Sequence, residues 1–274
     1  MTLQKVLSRV RQAVADYHMI EEGDRIAVGI SGGKDSLTLL LALYELSKFY
    51  PKHFTVIAVT VNLGFQNLNL NEIRTLCADR NIPYTVVETS IAQIVFEDRK
   101  EDNPCSLCAK MRKGALNDAI KELGCNKIAL GHHFSDVVET TLLGLFYGAQ
   151  LQAMPPKLHS KNFPGMELIR PLYCVHEDAI IAWKNYNHLQ FLQCACRFTE
   201  ARDAAGDGIG ESKRQEMKLL LRELKKTNPN IEKSIFRAIH GVQLDTFPGF
   251  KYHGRAYSFL ERYRDGAAQE DLED

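Results

Sequence analysis

The 274-residue sequence has no excess charge of either sign, since Lys and Arg total 34 and so do Asp and Glu. That balance excludes a protein that coats nucleic acid by bulk charge, while leaving room for a local basic face. Long apolar runs are missing too. The longest, such as Leu37 to Leu43, fall far short of the roughly 20 residues that span a bilayer. The opening stretch, MTLQKVLSRVRQ, is amphipathic from its start and lacks the apolar core and cleavage site of a signal peptide. There is no internal repeat, and 45% hydrophobic with 25% charged residues excludes wholesale disorder or a collagen-like chain. Seven cysteines, an odd number, do not make a disulfide frame. The expectation is a cytoplasmic protein without a membrane segment, whose cysteines are reduced, ligand-bound or reactive.

What is present alternates between strand and helix. Val6, Val10, Ala13, Val14 and Tyr17 recur at helical spacing, so residues 1–22 are read as an N-terminal helix. Short apolar runs at Arg25–Ile30, Phe54–Val61, Tyr84–Glu88 and Lys127–Leu130 read as strands. Helical patterns lie between them: a leucine-rich one ending near Ser47, one from about Asn69 to Arg80, and one from Pro104 to about Leu123. Strands alternating with helices of this length imply an α/β fold with a Rossmann-like parallel sheet covered on both faces. Its ligand site is expected at the carboxyl ends of the strands. Residues 23–175 would form this domain.

After Pro171 the pattern changes. Cys174 to His188 reads as helix, Ala201 to Gly210 as a small-residue linker, and Glu211 to Lys226 and Ile231 to Val242 as two further helices. Residues 176–260 are therefore expected to form a C-terminal helical region. Residues 261–274 are an acidic tail: Asp265 to Asp274 carry five acids and no base. Between Glu211 and Arg237 eight bases face four acids, which marks either a solvated helix face or a phosphate-contacting surface.

Two motifs carry chemistry. Ser31-Gly32-Gly33-Lys34-Asp35-Ser36 joins a strand to a helix. Glycines there permit positive φ and close backbone approach, and the helix start presents N–H groups and a favourable dipole to an anion. Lys34 adds charge, Asp35 can hold a metal ion, and the serines offer hydroxyls, so the loop suits a polyphosphate. It has neither the G-x-x-x-x-G-K-[ST] nor the G-x-G-x-x-G spacing. The second motif is Cys105-Ser-Leu-Cys108 at a helix start. Two thiolates at this spacing grip one zinc ion or one iron–sulfur cluster, and Cys194 and Cys196 are candidates for completing the set. Cys77, Cys125 and Cys174 lie in apolar contexts and read as core thiols.

SGGKDS resembles the loop of the PP-loop ATPases, which cleave ATP to AMP and pyrophosphate while adenylating a carbonyl oxygen. With the CxxC, nearly the whole chain is similar to the TtcA-type tRNA 2-thiocytidine synthetases. The resemblance rests on Cys105 to Gly114, Gly131-His-His-Phe-Ser-Asp136-Val-Val-Glu-Thr140, Phe146-Tyr-Gly148 with Ala153 to Leu158, Ile169-Arg-Pro-Leu172, and Asn228 to Ile239. It implies that Ser31, Gly32, Gly33, Lys34, Asp35, Ser36, Arg112, Gly131 and Asp136 bind ATP with Mg²⁺. It also implies a [4Fe-4S] cluster on Cys105, Cys108 and Cys194, with Cys196 as the alternative third ligand. Lys34, Asp35, Cys105 and Cys108 would be catalytic. The substrate would be tRNA, cytidine 32 being the target, with a cysteine desulfurase or sulfide as sulfur donor and a homodimer as one assembly. Two features depart from the family pattern: Ser135 replaces an aspartate, and the Cys194–Cys196 spacing is compressed. Alternative readings are a cysteine-persulfide sulfurtransferase, action on another nucleotide or a small molecule, and a non-catalytic nucleotide-binding redox sensor.

Overall fold

The structure, a computed structural model, describes residues 3–65, 70–99, 104–160, 163–186 and 213–264. It divides into two units, Met1–Leu220 and Leu221–Asp274.

The first unit is built on a six-stranded sheet of β1 (Asp24–Gly29), β2 (Phe54–Asn62), β3 (Tyr84–Glu88), β4 (Lys127–Ala129), β5 (Lys157–His159) and β6 (Glu167–Ile169). The strand order is β3-β2-β1-β4-β6-β5. All pairs are parallel except β5 with β6. The helices are α1 (Leu3–Asp16), α2 (Lys34–Ser47), α3 (Asn71–Ala78), α4 (Ile91–Gln93, continuing as a π-turn through Asp98), α5 (Pro104–Glu122), α6 (Phe134–Tyr147), α7 (Glu177–Tyr186) and α8 (Lys213–Thr227).

The central strands are apolar on both sides because both faces are covered. One layer holds Ala27, Ile57, Val59 and Ile128 against Ile120 and Leu116 of α5. Opposite it, α2 lies between the sheet and helices α1 and α7. That placement explains why nine of the fourteen α2 residues are buried, including Thr38 and Leu39 to Leu43. The leucine-rich run is thus a core helix, with little of the one-sided stripe of a surface helix.

The strand–helix alternation matches the expected architecture, and three differences are informative. Strands β5 and β6 lie where no strand is expected. At three residues each they are too short for period-two alternation, and they form because Arg170 ties the segment before β5 to the end of β6. Its guanidinium donates to the Pro155 carbonyl and its N–H to that of Pro156, while the Tyr173 hydroxyl donates to Met154 O at 3.1 Å. Helix α7 starts at Glu177, because Leu172, Tyr173 and Val175 are buried in a turn before it.

The third difference adds strands to the helical C-terminal region. In the second unit α9 (Ile231–His240) is followed by an antiparallel hairpin, β7 (Gly249–Tyr252) and β8 (Arg255–Ser258), then α10 (Phe259–Arg264). His253 at φ +47° and Gly254 at φ +80° form its two-residue turn. The linker at Ala201–Gly210 and the tail from Asp265 lie outside the described residues.

At the amino edge of the sheet three strands meet in a buried charge cluster. Lys127 of β4 bonds Glu167 of β6 at 2.6 Å and Asp24 of β1 at 3.2 Å. Asn126 Nδ2 donates to the other Asp24 oxygen, Oδ1, and the Glu21 N–H joins Lys127 on Oδ2. Burial works against ionisation of Glu167, but the bond and charge of Lys127 outweigh it and its pKa is lowered. We expect Lys127→Ala to cost about 3 kcal/mol, because it leaves two carboxylates without their cation. A lower urea midpoint at unchanged slope would register it. The pairing energy is present above the ordinary carboxylate range and is lost as pH falls through the depressed Glu167 value. The gap between wild type and variant should therefore narrow in acid.

Candidate active site

Strand order reverses on either side of β1: β2 and β3 follow on one side, and β4 lies on the other. The loops after β1 and β4 therefore leave the carboxyl edge side by side, where open α/β sheets form their crevice. The first loop is Ser31–Ser36 and the second is Gly131–Asp136.

Gly32 sits at φ +81°, a left-handed conformation that suits glycine. Gly33 is the N-cap of α2 and provides no side-chain cap. The serines fold the loop on itself. Ser36 Oγ donates to Gly33 O at 3.0 Å and accepts from the Ser31 N–H at 3.3 Å, and Ser31 Oγ accepts from the Gly33 N–H at 3.3 Å. Gly131 lies under the first turn of α2. A Cβ there would be 3.1 Å from the Asp35 carbonyl carbon and 3.2 Å from Ser36 N.

The charged side chains form a continuous circuit of ion pairs over this floor, running from Asp35 to Asp136. Lys34 Nζ is 3.0 Å from Asp35 Oδ2 and 3.0 Å from Glu177 Oε1 at the start of α7. Burial disfavours the Lys34 charge, yet Asp35 and Glu177 together raise its pKa. Burial likewise disfavours the Glu177 carboxylate, but Lys34 and then Lys218 bring it down to about 2. Lys218 of α8 reaches Glu177 at 3.3 Å and Glu139 at 3.8 Å. Arg214 bonds Glu139 at 2.8 Å and Asp136 at 3.2 Å. Glu139 is almost fully buried, which raises its pKa in spite of these two cations.

Asp136 also caps α6: Oδ2 accepts the His133 N–H at 2.9 Å, and His133 Nδ1 accepts the Asp136 N–H at 3.4 Å. Burial lowers the pKa of His133, whose Nε2 is 3.8 Å from Asp35 Oδ1. Neighbouring His132 has its Nδ1 buried without a protein partner, and so does Arg170 with its Nε. Unpaired buried nitrogens of this kind fit a crevice that receives a polar ligand.

The structure thus gathers Ser31, Gly32, Gly33, Lys34, Asp35, Ser36, Gly131 and Asp136 at one edge. Cys105, Cys108 and Arg112 lie on the first turns of α5. That helix meets the crevice floor through Leu116, whose Cδ2 is 3.4 Å from where a Gly29 Cβ would be. Cys108 is eight residues earlier, about 12 Å along the helix axis. Because α5 runs back towards the start of β4, its first turn with the CxxC lies on the carboxyl side. Cys108 is half-buried, and Arg112 is exposed without an ion pair among the described residues. Cys194 and Cys196 lie outside the described residues. Burial pushes the thiols of Cys77 and Cys174 up to about 11 and raises that of Cys125, against a thiolate role for any of them.

Sequence reasoning missed Glu177, Glu139 and His133 as parts of this site. Glu139 carried a signal, since it follows Asp136 by three residues and shares its helix face. Arg214 and Lys218 read as part of an open basic face, but both are committed to the circuit. Lys157 donates to the His18 carbonyl at 2.8 Å.

A polyphosphate loop without Walker spacing, at the switch point of a Rossmann-like sheet, defines a PP-loop protein. The family described as "PP-loop domain" matches residues 2–196. The chain belongs to the tRNA-cytidine(32) 2-sulfurtransferase family. It is 37% identical over 241 residues to the member from Geobacter sulfurreducens, covering 88% of this chain and 90% of that one. To the member from Pelobacter propionicus it is 38% identical over 234 residues, covering 85% and 84%. Among solved structures, the U34-tRNA thiolase NcsA from Methanococcus maripaludis, with its [4Fe-4S] cluster, superimposes at a TM-score of 0.68. Sequence identity there is 23%, with 86% of this chain and 77% of that one covered. At that identity the likeness speaks for the fold.

The circuit makes a pH prediction. With its folded pKa at about 2 against an ordinary 4.5, Glu177 contributes stability above about pH 4.5 and loses it as pH falls towards 2. Glu177→Gln should lower stability at neutral pH by about 2 kcal/mol after solvent screening. Chemical denaturation at pH 7 and pH 3 should show the variant and wild type converging in acid.

Proposed function

We propose that this protein is an ATP-dependent tRNA thiolase that replaces the 2-oxygen of cytidine 32 by sulfur. The observation that carries the reading is the uncapped start of α2 beside Lys34 and Gly131, at the switch point of a chain of this family. The uncapped N–H groups and Lys34 would hold the ATP phosphates, with Lys34 exchanging its carboxylate partners for them. Mg²⁺ commonly binds through one or two carboxylates plus substrate phosphates, a mode that suits Asp35. The ATP phosphates and water would supply the other ligands.

The base oxygen would attack the α-phosphorus, expelling pyrophosphate and leaving C2 activated as an adenylate. Sulfide would then add at C2 as the nucleophile, and AMP would depart with the electron pair of the broken C2–O bond. Lys34 stabilises the developing negative charge, and Gly131 and Ser36 keep the first turn of α2 in register. The neutral His133 holds Asp136, and through it the start of α6.

Cys105, Cys108 and Cys194, with Cys196 as the alternative third ligand, would hold a [4Fe-4S] cluster, which supplies an iron site for the incoming sulfur. A half-buried Cys108 on the carboxyl side of the sheet fits that donor set. The remaining expectations complete the reading: tRNA contacts from the C-terminal region, a cysteine desulfurase or sulfide as donor, a homodimer, and a cytoplasmic location. Among the described residues no helix is long and apolar enough to cross a membrane.

Nucleoside mass spectrometry of tRNA from a deletion strain tests the function. Wild-type complementation should restore 2-thiocytidine. Lys34→Ala should lower it at least about a hundredfold, the scale expected when a charge-stabilising donor is lost. Undiminished 2-thiocytidine in the Lys34→Ala strain overturns the reading and favours a nucleotide-binding sensor. Anaerobically purified protein should hold about four irons per chain, and Cys108→Ser should remove most of them. Iron-free protein of full activity would point to a persulfide carrier instead.

A further inference from the structure

The hairpin of the second unit carries more aromatic surface than it buries. Phe250 and Tyr257 stack across the two strands at 4.9 Å with ring planes 10° apart. Beside them Tyr252 is 61% exposed and meets the ring of His253 edge-on at 4.2 Å. In α10 the rings of Phe259 and Tyr263 pair at 5.5 Å, and Tyr263 is 69% exposed. Tyr252, Phe259 and Tyr263 thus present exposed ring surface, while Phe250 and Tyr257 are half-buried. The ribbon's geometry is also tightly set, since a Cβ at Gly249 would lie 3.0 Å from the Tyr257 carbonyl.

One cation stands among these rings. Arg255 pairs with Tyr252 across the ladder on the ring face, its guanidinium 4.9 Å from the centre of the Tyr257 ring and 3.9 Å from Glu261, while Lys251, paired with Ala256, lies on the opposite face. Residues 249–264 contain Lys251, Arg255, Arg262 and Arg264 against the single acid Glu261. Over residues 221–264 nine bases face four acids, while residues 265–274 hold five acids and no base. The neutral total of the chain therefore hides a locally basic segment.

We infer that the β7–β8 hairpin is a binding surface for unpaired RNA, with Tyr252 stacking on a base while Arg255 beside it meets a backbone phosphate. Rings beside a cation match the two chemistries that single-stranded RNA presents, a π-face on every base and a charge on every phosphate. The inference rests on tRNA being the substrate, and it deepens that reading by assigning recognition of the anticodon loop to this element. Double-stranded RNA would use the cations and leave the rings idle, so the unpaired loop is the partner.

The test uses the full-length protein and a fluorescently labelled anticodon stem–loop RNA, with binding followed by anisotropy. Tyr252→Ala should weaken binding about tenfold, and Tyr252→Phe, which keeps the ring, should restore it. Arg255→Ala should lower the slope of log affinity against log salt by about 0.7. ATP affinity should be unchanged in all of them. If wild type binds the RNA and these variants bind equally well, the hairpin assignment is overturned while the thiolase reading stands. If Tyr252→Phe is as weak as Tyr252→Ala, stacking is overturned. If wild type does not bind RNA at all, the substrate reading itself fails. A hairpin that instead seats a second copy of the chain would shift the variants from dimer to monomer in sedimentation at unchanged RNA affinity, and that result too overturns the assignment.

Discussion

Everything at the candidate active site depends on how closely the loop after β4 passes beneath the first turn of α2. Gly131 leaves no room for a side chain between them. With that contact made, the glycine loop and the His133–Asp136 cap face the same crevice, and the charges they carry can be linked. Strand order supplies the condition in turn, because only where it reverses do two parallel crossovers open away from one another. The residues that touch are separated by about a hundred positions in the chain, and sheet topology brings them together.

The electrostatics follow from that crowding. Four carboxylates (Asp35, Asp136, Glu139, Glu177) are tied to three cations (Lys34, Arg214, Lys218) in one circuit. Burial lowers the pKa of His133, so it adds no positive charge at neutral pH. A site with a small negative surplus does not attract a polyphosphate by charge alone. The helix dipole, uncapped N–H groups and a divalent cation must make up the difference. On the proposed reading, a nucleotide reaching Lys34 would displace a carboxylate partner, which would favour ligands carrying several phosphates over those with one.

Much of this was legible before any coordinates. SGGKDS between a strand and a helix announces its site because strand, turn and helix start are all local. The buried parallel strands show themselves as continuous apolar runs, since both faces are covered. What could not be read was set by distance. Glu177 has no local motif, and its partner Lys34 lies far back in the chain. Arg214 and Lys218 look like any basic helix face until Glu139 is seen beneath them. Strands β5 and β6 are too short to show alternation, and the hairpin of the second unit hid behind two helices of strong periodicity. Cys105 and Cys108 were conspicuous through their spacing, whereas Cys194 and Cys196 fall outside the described residues.

The buried Asp24–Lys127–Glu167 cluster gives the sheet a division of labour between its ends. Ion pairs at the amino edge hold three strands together and touch no reacting group. Those at the carboxyl edge hold the two loops that border the crevice. The amino edge thus contributes stability alone, while the carboxyl edge contributes stability and site geometry together. A change at Lys127 can weaken the fold and leave the crevice groups in place, whereas a change at Glu177 touches both at once.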